Sequence, residues 1–222
     1  MSRSSDLSAT SHRFAKNCFL CKPRSELVYA DTDNAIALCG LGPLTPGYSV
    51  LATKAHLASA ADASRIVPEF NVFAGRVRSI LESAFGSCVL TEHGRIPVCV
   101  DVSGTTDPHC YHAHFLLFPG VHNIEDRAKE YFATVESARS LADAMAIAGA
   151  HREYFLISGT CDSYQVLTRP GKLIRQFARV LVADALKVPV RANWRKYPQE
   201  EEAIRNASLL RQKFRPTPMD VP

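Results

Sequence analysis

The segment Cys110-Tyr-His-Ala-His-Phe-Leu-Leu-Phe-Pro119 holds the most chemistry in the 222-residue chain. In an extended strand alternate side chains point to opposite faces, so Cys110, His112, His114 and Leu116 share one face. Tyr111, Ala113, Phe115 and Leu117 form the other, which is apolar enough to pack beneath a helix. Two imidazoles about 7 Å apart on one strand face can serve a single site. Two alternating histidines are also a common surface or core pair, so the pattern alone leaves both readings open. A neutral imidazole, with a reference pKa of ~6.5, is an available nucleophile near neutral pH.

A second chemical signal is Cys18-Phe-Leu-Cys21, whose two-residue gap lets both thiolates reach one tetrahedral zinc at ~2.3 Å. The rival reading is a redox pair, which would follow a core strand and open a helix, whereas here a polar Ser-rich tail precedes it. Zinc is therefore preferred, and it needs two further ligands. His56, at the end of Thr45-Pro-Gly-Tyr-Ser-Val-Leu-Ala-Thr-Lys-Ala-His56, and His112 are the candidates.

Elements must hold these groups. Residues 26–31, 34–39 and 47–53 read as short strands joined by turn signals at Asp31-Thr-Asp-Asn and Gly42-Pro-Leu-Thr-Pro-Gly. From 58 to 84 the apolar residues recur at helical spacing, which predicts one long helix over the sheet, started or kinked by Pro68. Strand-like runs follow at 88–92 and 112–118. Beyond Gly120 a helical stretch is expected at 137–147, strands at 154–157 and 164–167, and amphipathic helices at 173–186 and 200–213.

Composition bounds the function. Seven cysteines, an odd number scattered through apolar stretches, fit a reducing compartment, and no apolar run approaches the ~18 residues of a membrane span. A soluble, cytoplasmic protein without a membrane partner is the expectation. The net charge of +4 is mild, yet 18 arginines outnumber 8 lysines, and the guanidinium fork suits phosphate or carboxylate. No basic run or aromatic-basic repeat marks a nucleic-acid surface.

Cys-x2-Cys near the start, a Pro-Gly strand ending in Lys-x-His, a long helix, Glu92-His93-Gly94, then His112-Ala-His114 with Pro119 together resemble zinc-binding histidine triad (HIT) proteins of the His-Ala-His type. The resemblance covers about Cys18 to Pro119, roughly half the chain. It implies an α+β fold: an antiparallel sheet of about five strands covered by a long helix, with an α/β C-terminal extension. The expected organisation is a disordered tail at 1–15, a catalytic domain at 16–121, an extension packed on it at 122–214, and a tail at 215–222.

The resemblance further implies one structural zinc held by Cys18, Cys21, His56 and His112, with His114 as the nucleophile. The expected activity is that of a nucleotide-phosphate hydrolase or nucleotidyl transferase working through a nucleotidyl-histidine intermediate, on a small nucleotide or related phosphate. A homodimer is also implied. His109 is a candidate acid for the leaving group, or an ordinary loop histidine. Glu92 and His93 are substrate-binding candidates from the Glu-His-Gly motif, with structural hydrogen bonding as the alternative. Arg175 and Arg179, four apart on one helix, could face a phosphate, or simply form a solvated helix face. Another register would make Cys110, His112 and His114 the triad, with His112 as nucleophile. Two departures from the family pattern stand out: Leu116 replaces the third histidine, and Gly40 stands where an acidic residue usually meets the ribose.

Overall fold

The computed structural model describes residues 18–67, 69–96, 111–158, 163–170 and 173–214. The chain order is β1 (Val28–Asp31), β2 (Ala35–Cys39), β3 (Ser49–Thr53), α1 (Ala60–Ile66), α2 (Phe70–Phe85), β4 (Cys88–Gly94), β5 (His114–Pro119) and α3 (Glu125–Lys129). It continues with β6 (Phe132–Ala138), α4 (Leu141–Gly149), β7 (Tyr154–Ser158), β8 (Tyr164–Pro170), α5 (Phe177–Ala185), a 3-10 turn at Pro189–Ala192, and α6 (Glu200–Phe214).

The strands form one eight-stranded sheet in the order β1-β2-β3-β5-β4-β7-β8-β6, antiparallel at every pairing. The α+β class agrees with expectation, but a sheet of about five strands does not. Five strands come from the first half of the chain. The later part then adds three more, with β7 pairing alongside β4 from Thr91↔Ile157 to Gly94↔Tyr154. A free β4 edge would expose a row of unpaired amides and carbonyls, and β7 is buried at all five positions, so each satisfies the other. The strand β6 was hidden in the sequence because its side chains alternate between half-buried and exposed, as an outermost strand allows.

The expected single long helix is two helices. Val67, just ahead of Pro68, has φ −121° and ψ 88°, the extended conformation that a following proline imposes. Helix α1 starts at Ser59, whose side chain accepts from the Asp62 amide, and α4 starts in the same way at Ser140 with Asp143.

Faces follow from strand alternation. Phe115 and Leu117 are fully buried, and Phe115 stacks on Phe70 of α2 at 5.3 Å between ring centroids. Burying each such side chain contributes roughly 2 kcal/mol. Phe155 points the opposite way from its neighbour Tyr154 and meets Phe177 of α5 at 5.2 Å. Thus α1 and α2 cover one side of the sheet and α5 the other. The half-buried His114 and Leu116 lie on the side opposite α2. Among the described residues no helix is long and apolar enough to cross a membrane.

Helix α6 packs on β1 and β2, and Arg211 ties it down. Its Nε donates to the Val28 carbonyl at 2.7 Å, and Nη2 donates to the Ser25 and Glu26 carbonyls at 3.0 and 2.6 Å. Arg211→Ala should lower unfolding stability by about 1 kcal/mol, because three part-buried or exposed carbonyls lose a charge-assisted donor to which water is only a partial substitute. Urea unfolding at neutral pH measures this, and Lys213→Ala on the same helix serves as the neutral control.

Candidate metal centre and the histidine beside it

Cys18, Cys21, His56 and His112 come together at one end of the sheet. Each offers a ligand atom, and those atoms all lie within 4.8 Å of one another. The convergence follows from the pairing of β3 with β5, in which Ala52 lies opposite His114. The chain leaving β3 carries His56, the chain entering β5 carries His112, and both emerge at the same end. The Thr53 amide donates to the Ala113 carbonyl at 3.2 Å, and the Ala113 amide donates to the Leu57 carbonyl at 2.7 Å, which locks the two segments side by side. The thiols arrive on a turn closed by the Cys21 amide donating to the Cys18 carbonyl at 3.2 Å.

The separations fit a metal. Cys18 Sγ lies 3.3 Å from His112 Nδ1, Cys21 Sγ lies 3.1 Å from His56 Nδ1, and Cys21 Sγ lies 3.5 Å from His112 Nδ1. Ligands around a tetrahedral ion, with sulfur at ~2.3 Å and nitrogen at ~2.0 Å, would stand roughly 3.6 Å apart. The His112 ring is oriented for this role: its Nε2 donates to the Thr53 carbonyl at 2.7 Å, which leaves the Nδ1 lone pair facing the thiols. Burial, then the neighbouring Cys18 thiol, pushes the Cys21 thiol up to about 11. A metal ion held here would displace the thiol protons and bind the thiolates. The four donors can hold a metal ion, and all four ligand positions come from protein, as in sites that brace a fold.

His114 begins β5, two residues beyond His112. Its Nδ1 donates to the His112 carbonyl at 2.6 Å. That bond selects the tautomer with the lone pair on Nε2 and holds the ring against the backbone of a metal-site residue. In the β4–β5 pairing Thr91 lies opposite Leu116. The pairing ends there; His93 and His114 lie two residues further along their strands, on the face that strand alternation shares with Thr91 and Leu116.

The remaining candidates are placed differently. Glu92 is buried among helix and strand groups: one carboxylate oxygen accepts from the Ala60 amide at the start of α1, and the other accepts from the Tyr154 hydroxyl. That hydroxyl also accepts from the Ala61 amide. Arg179 is buried, with donors engaged by the carbonyls of Ala192, Gly42 and Arg191, and its guanidinium lies 5.1 Å from the Tyr48 ring centroid. Arg175 is half-buried just before α5. His109 and Cys110 lie outside the described residues. Two surface cavities of about 330 and 340 Å³ are lined by Leu44, Phe85 and Leu186, and by Ser64, Asn71 and Met145, and neither includes His114.

Two participants carry no local signal in the sequence. Thr53 acts through its carbonyl, which every residue has, and Tyr154 reaches Glu92 only because β7 pairs with β4. Tyr48 fills the space beside Gly40, where a Cβ would come within 2.2 Å of its ring, so a side chain at position 40 has no room.

Burial pushes the Glu92 carboxyl up to about 7, against the opposing pull of the Tyr154 and Ala60 hydrogen bonds. The folded state therefore holds this proton between about pH 4.5 and 7 while the unfolded state releases it. Stability attributable to Glu92 falls across that window, by roughly 3 kcal/mol in total, and levels off above it. Urea unfolding from pH 4.5 to 8 should show a decline that is absent in Glu92→Gln; parallel curves for the two proteins would refute the shift. No family model matches the chain, and no curated protein matches it.

Proposed function

We propose that the chain is a HIT-type enzyme that cleaves or transfers a nucleoside monophosphate group, with His114 as nucleophile and a structural zinc bound by Cys18, Cys21, His56 and His112. The observation that carries this reading is the bond from His114 Nδ1 to the His112 carbonyl. It presents Nε2 as the nucleophilic atom and couples its position to the metal-binding residue two places earlier. A Cys2His2 donor set with all four positions filled by protein favours zinc among common ions, and such a zinc supplies rigidity rather than a reactive water.

In the proposed reaction the Nε2 lone pair forms a bond to phosphorus as the bond to the leaving group breaks, and the departing group takes up a proton. Water or another acceptor then attacks phosphorus, the N–P bond breaks, and the electron pair returns to Nε2. In this reading His93, on the neighbouring strand, contacts the substrate. Glu92 and Arg179, engaged within the fold, act by positioning.

A second reading, binding without turnover or action on an unusual substrate, is favoured by two observations. Leu116 offers no hydrogen bond on the His114 face, and the Tyr48 ring excludes an acidic side chain at position 40.

Purified protein should contain about one zinc per chain, and Cys21→Ala or His112→Ala should lose it. His114→Ala should retain zinc and fold while turnover falls by roughly a thousandfold or more. Dinucleoside polyphosphates, adenosine phosphoramidates and nucleotide sugars are the substrates to assay. Undiminished turnover in His114→Ala would eliminate it as the nucleophile, and calorimetric nucleotide binding without product from any substrate would establish the second reading.

A further inference from the structure

The turn that presents the two thiols also presents an aromatic ring. Between Cys18 and Cys21, Leu20 is turned inward and buried, while Phe19 is 60% exposed. The Phe19 ring lies 6.3 Å from that of Trp194, tilted by 50°. The Arg195 guanidinium lies 5.6 Å from the Trp194 ring centroid, and Tyr197, 44% exposed, follows in the same turn.

This surface is held in place. The Asn193 side chain accepts from the Arg195 and Lys196 amides at 3.1 and 3.3 Å. The Gly42 amide donates to the Pro198 carbonyl, and Gly42 sits so close beneath Trp194 that a Cβ there would be 2.9 Å from the Trp194 Cβ. Residues from the start and the end of the described chain thus bring the exposed Phe19 ring against the half-buried Trp194 ring, with exposed Tyr197 three residues on.

Its charge is cationic. Lys22, Arg195 and Lys196 are exposed. Of the acidic residues in the flanking segments, Glu26 and Glu200 are engaged by Arg24 at 2.8 and 2.9 Å, Glu201 by Arg205 at 3.7 Å, and Glu202 lies 4.0 Å from Arg191. Tilted rings, one exposed and one half-buried, beside cations offer stacking to unpaired bases and charge to the phosphates that join them. An acidic peptide would use the cations and leave the rings without a counterpart.

We propose that the Phe19–Trp194–Tyr197 surface, with Lys22, Arg195 and Lys196, binds single-stranded nucleic acid. The inference is independent of the activity proposed for His114.

Trp194 is the single tryptophan of the chain, so its emission reports directly on this surface. The full-length protein is titrated with a thymidine oligonucleotide of about 12 bases, long enough to cover a site of this kind. Saturable quenching of Trp194 is expected. Three cation–phosphate contacts predict a roughly 20-fold loss of affinity between ~50 and ~200 mM salt, from a logarithmic slope near −2. Phe19→Ala and the double variant Arg195→Glu/Lys196→Glu should each weaken binding by about tenfold or more, since one lost stack or two reversed charges accounts for that much. Unchanged far-ultraviolet circular dichroism and metal content verify the fold. Should Phe19→Ala fail to fold, Phe19→Leu replaces it. The proposal is overturned by an absence of quenching at ~50 mM salt, by binding that withstands either the aromatic or the charge substitution, or by a poly-glutamate peptide that binds as tightly.

Discussion

Four donor atoms brought within 4.8 Å of one another, from segments up to 94 residues apart, are the constraint on which the site depends. Two thiols and two imidazoles set this close form a donor set that can hold a metal ion. They come from three segments, the first turn, the exit of β3 and the entry of β5, which an ion would join. The entry of β5 is then set from two directions, by the metal-site ring of His112 and by the His112 carbonyl, which orients His114. A displacement of the thiol turn would therefore reach the candidate nucleophile through one residue.

The sheet extends this constraint across the molecule. Strand β4 lies between β5 and β7, so it links the His114 side of the fold to the three later strands. At that junction the Glu92 carboxylate and the Tyr154 hydroxyl bond the first two amides of α1, which no preceding turn of helix can satisfy. A buried carboxyl is costly when ionised, yet removing it would orphan a buried hydroxyl on β7 and a buried amide at the start of α1. The Glu92 carboxylate is thus held by Tyr154 and the start of α1.

The arginine excess has a similar explanation. An arginine-rich composition reads as anion recognition, but Arg179 and Arg191 direct donors to the Gly42 and Pro43 carbonyls of the loop after β2, and Arg211 to the Val28 carbonyl of β1. A guanidinium with five donors can close several such carbonyls at once, which lysine cannot do with a fixed geometry. These bonds fasten the later part of the chain to the β2–β3 loop and to β1. They also hold Tyr48 between Phe118 and Arg179, in the space next to Gly40.

What the sequence by itself determined was local chemistry and periodicity. Cys18-x2-Cys21 and His112-x-His114 identified the metal donors and the adjacent histidine because both depend on short spacings, which local backbone geometry preserves. Most strands and helices were legible for the same reason. The break at Pro68 follows a local rule, yet the periodicity predicted one long helix where the chain forms two. Only the tertiary structure decided what depends on distant partners: eight strands in one sheet instead of about five, the edge strand β6, the commitment of Glu92 to Tyr154 and Ala60, and the burial of Arg179 against Tyr48. A carbonyl, a sheet edge or a ring face carries no pattern of its own, and which group meets it is settled only when the chain closes on itself.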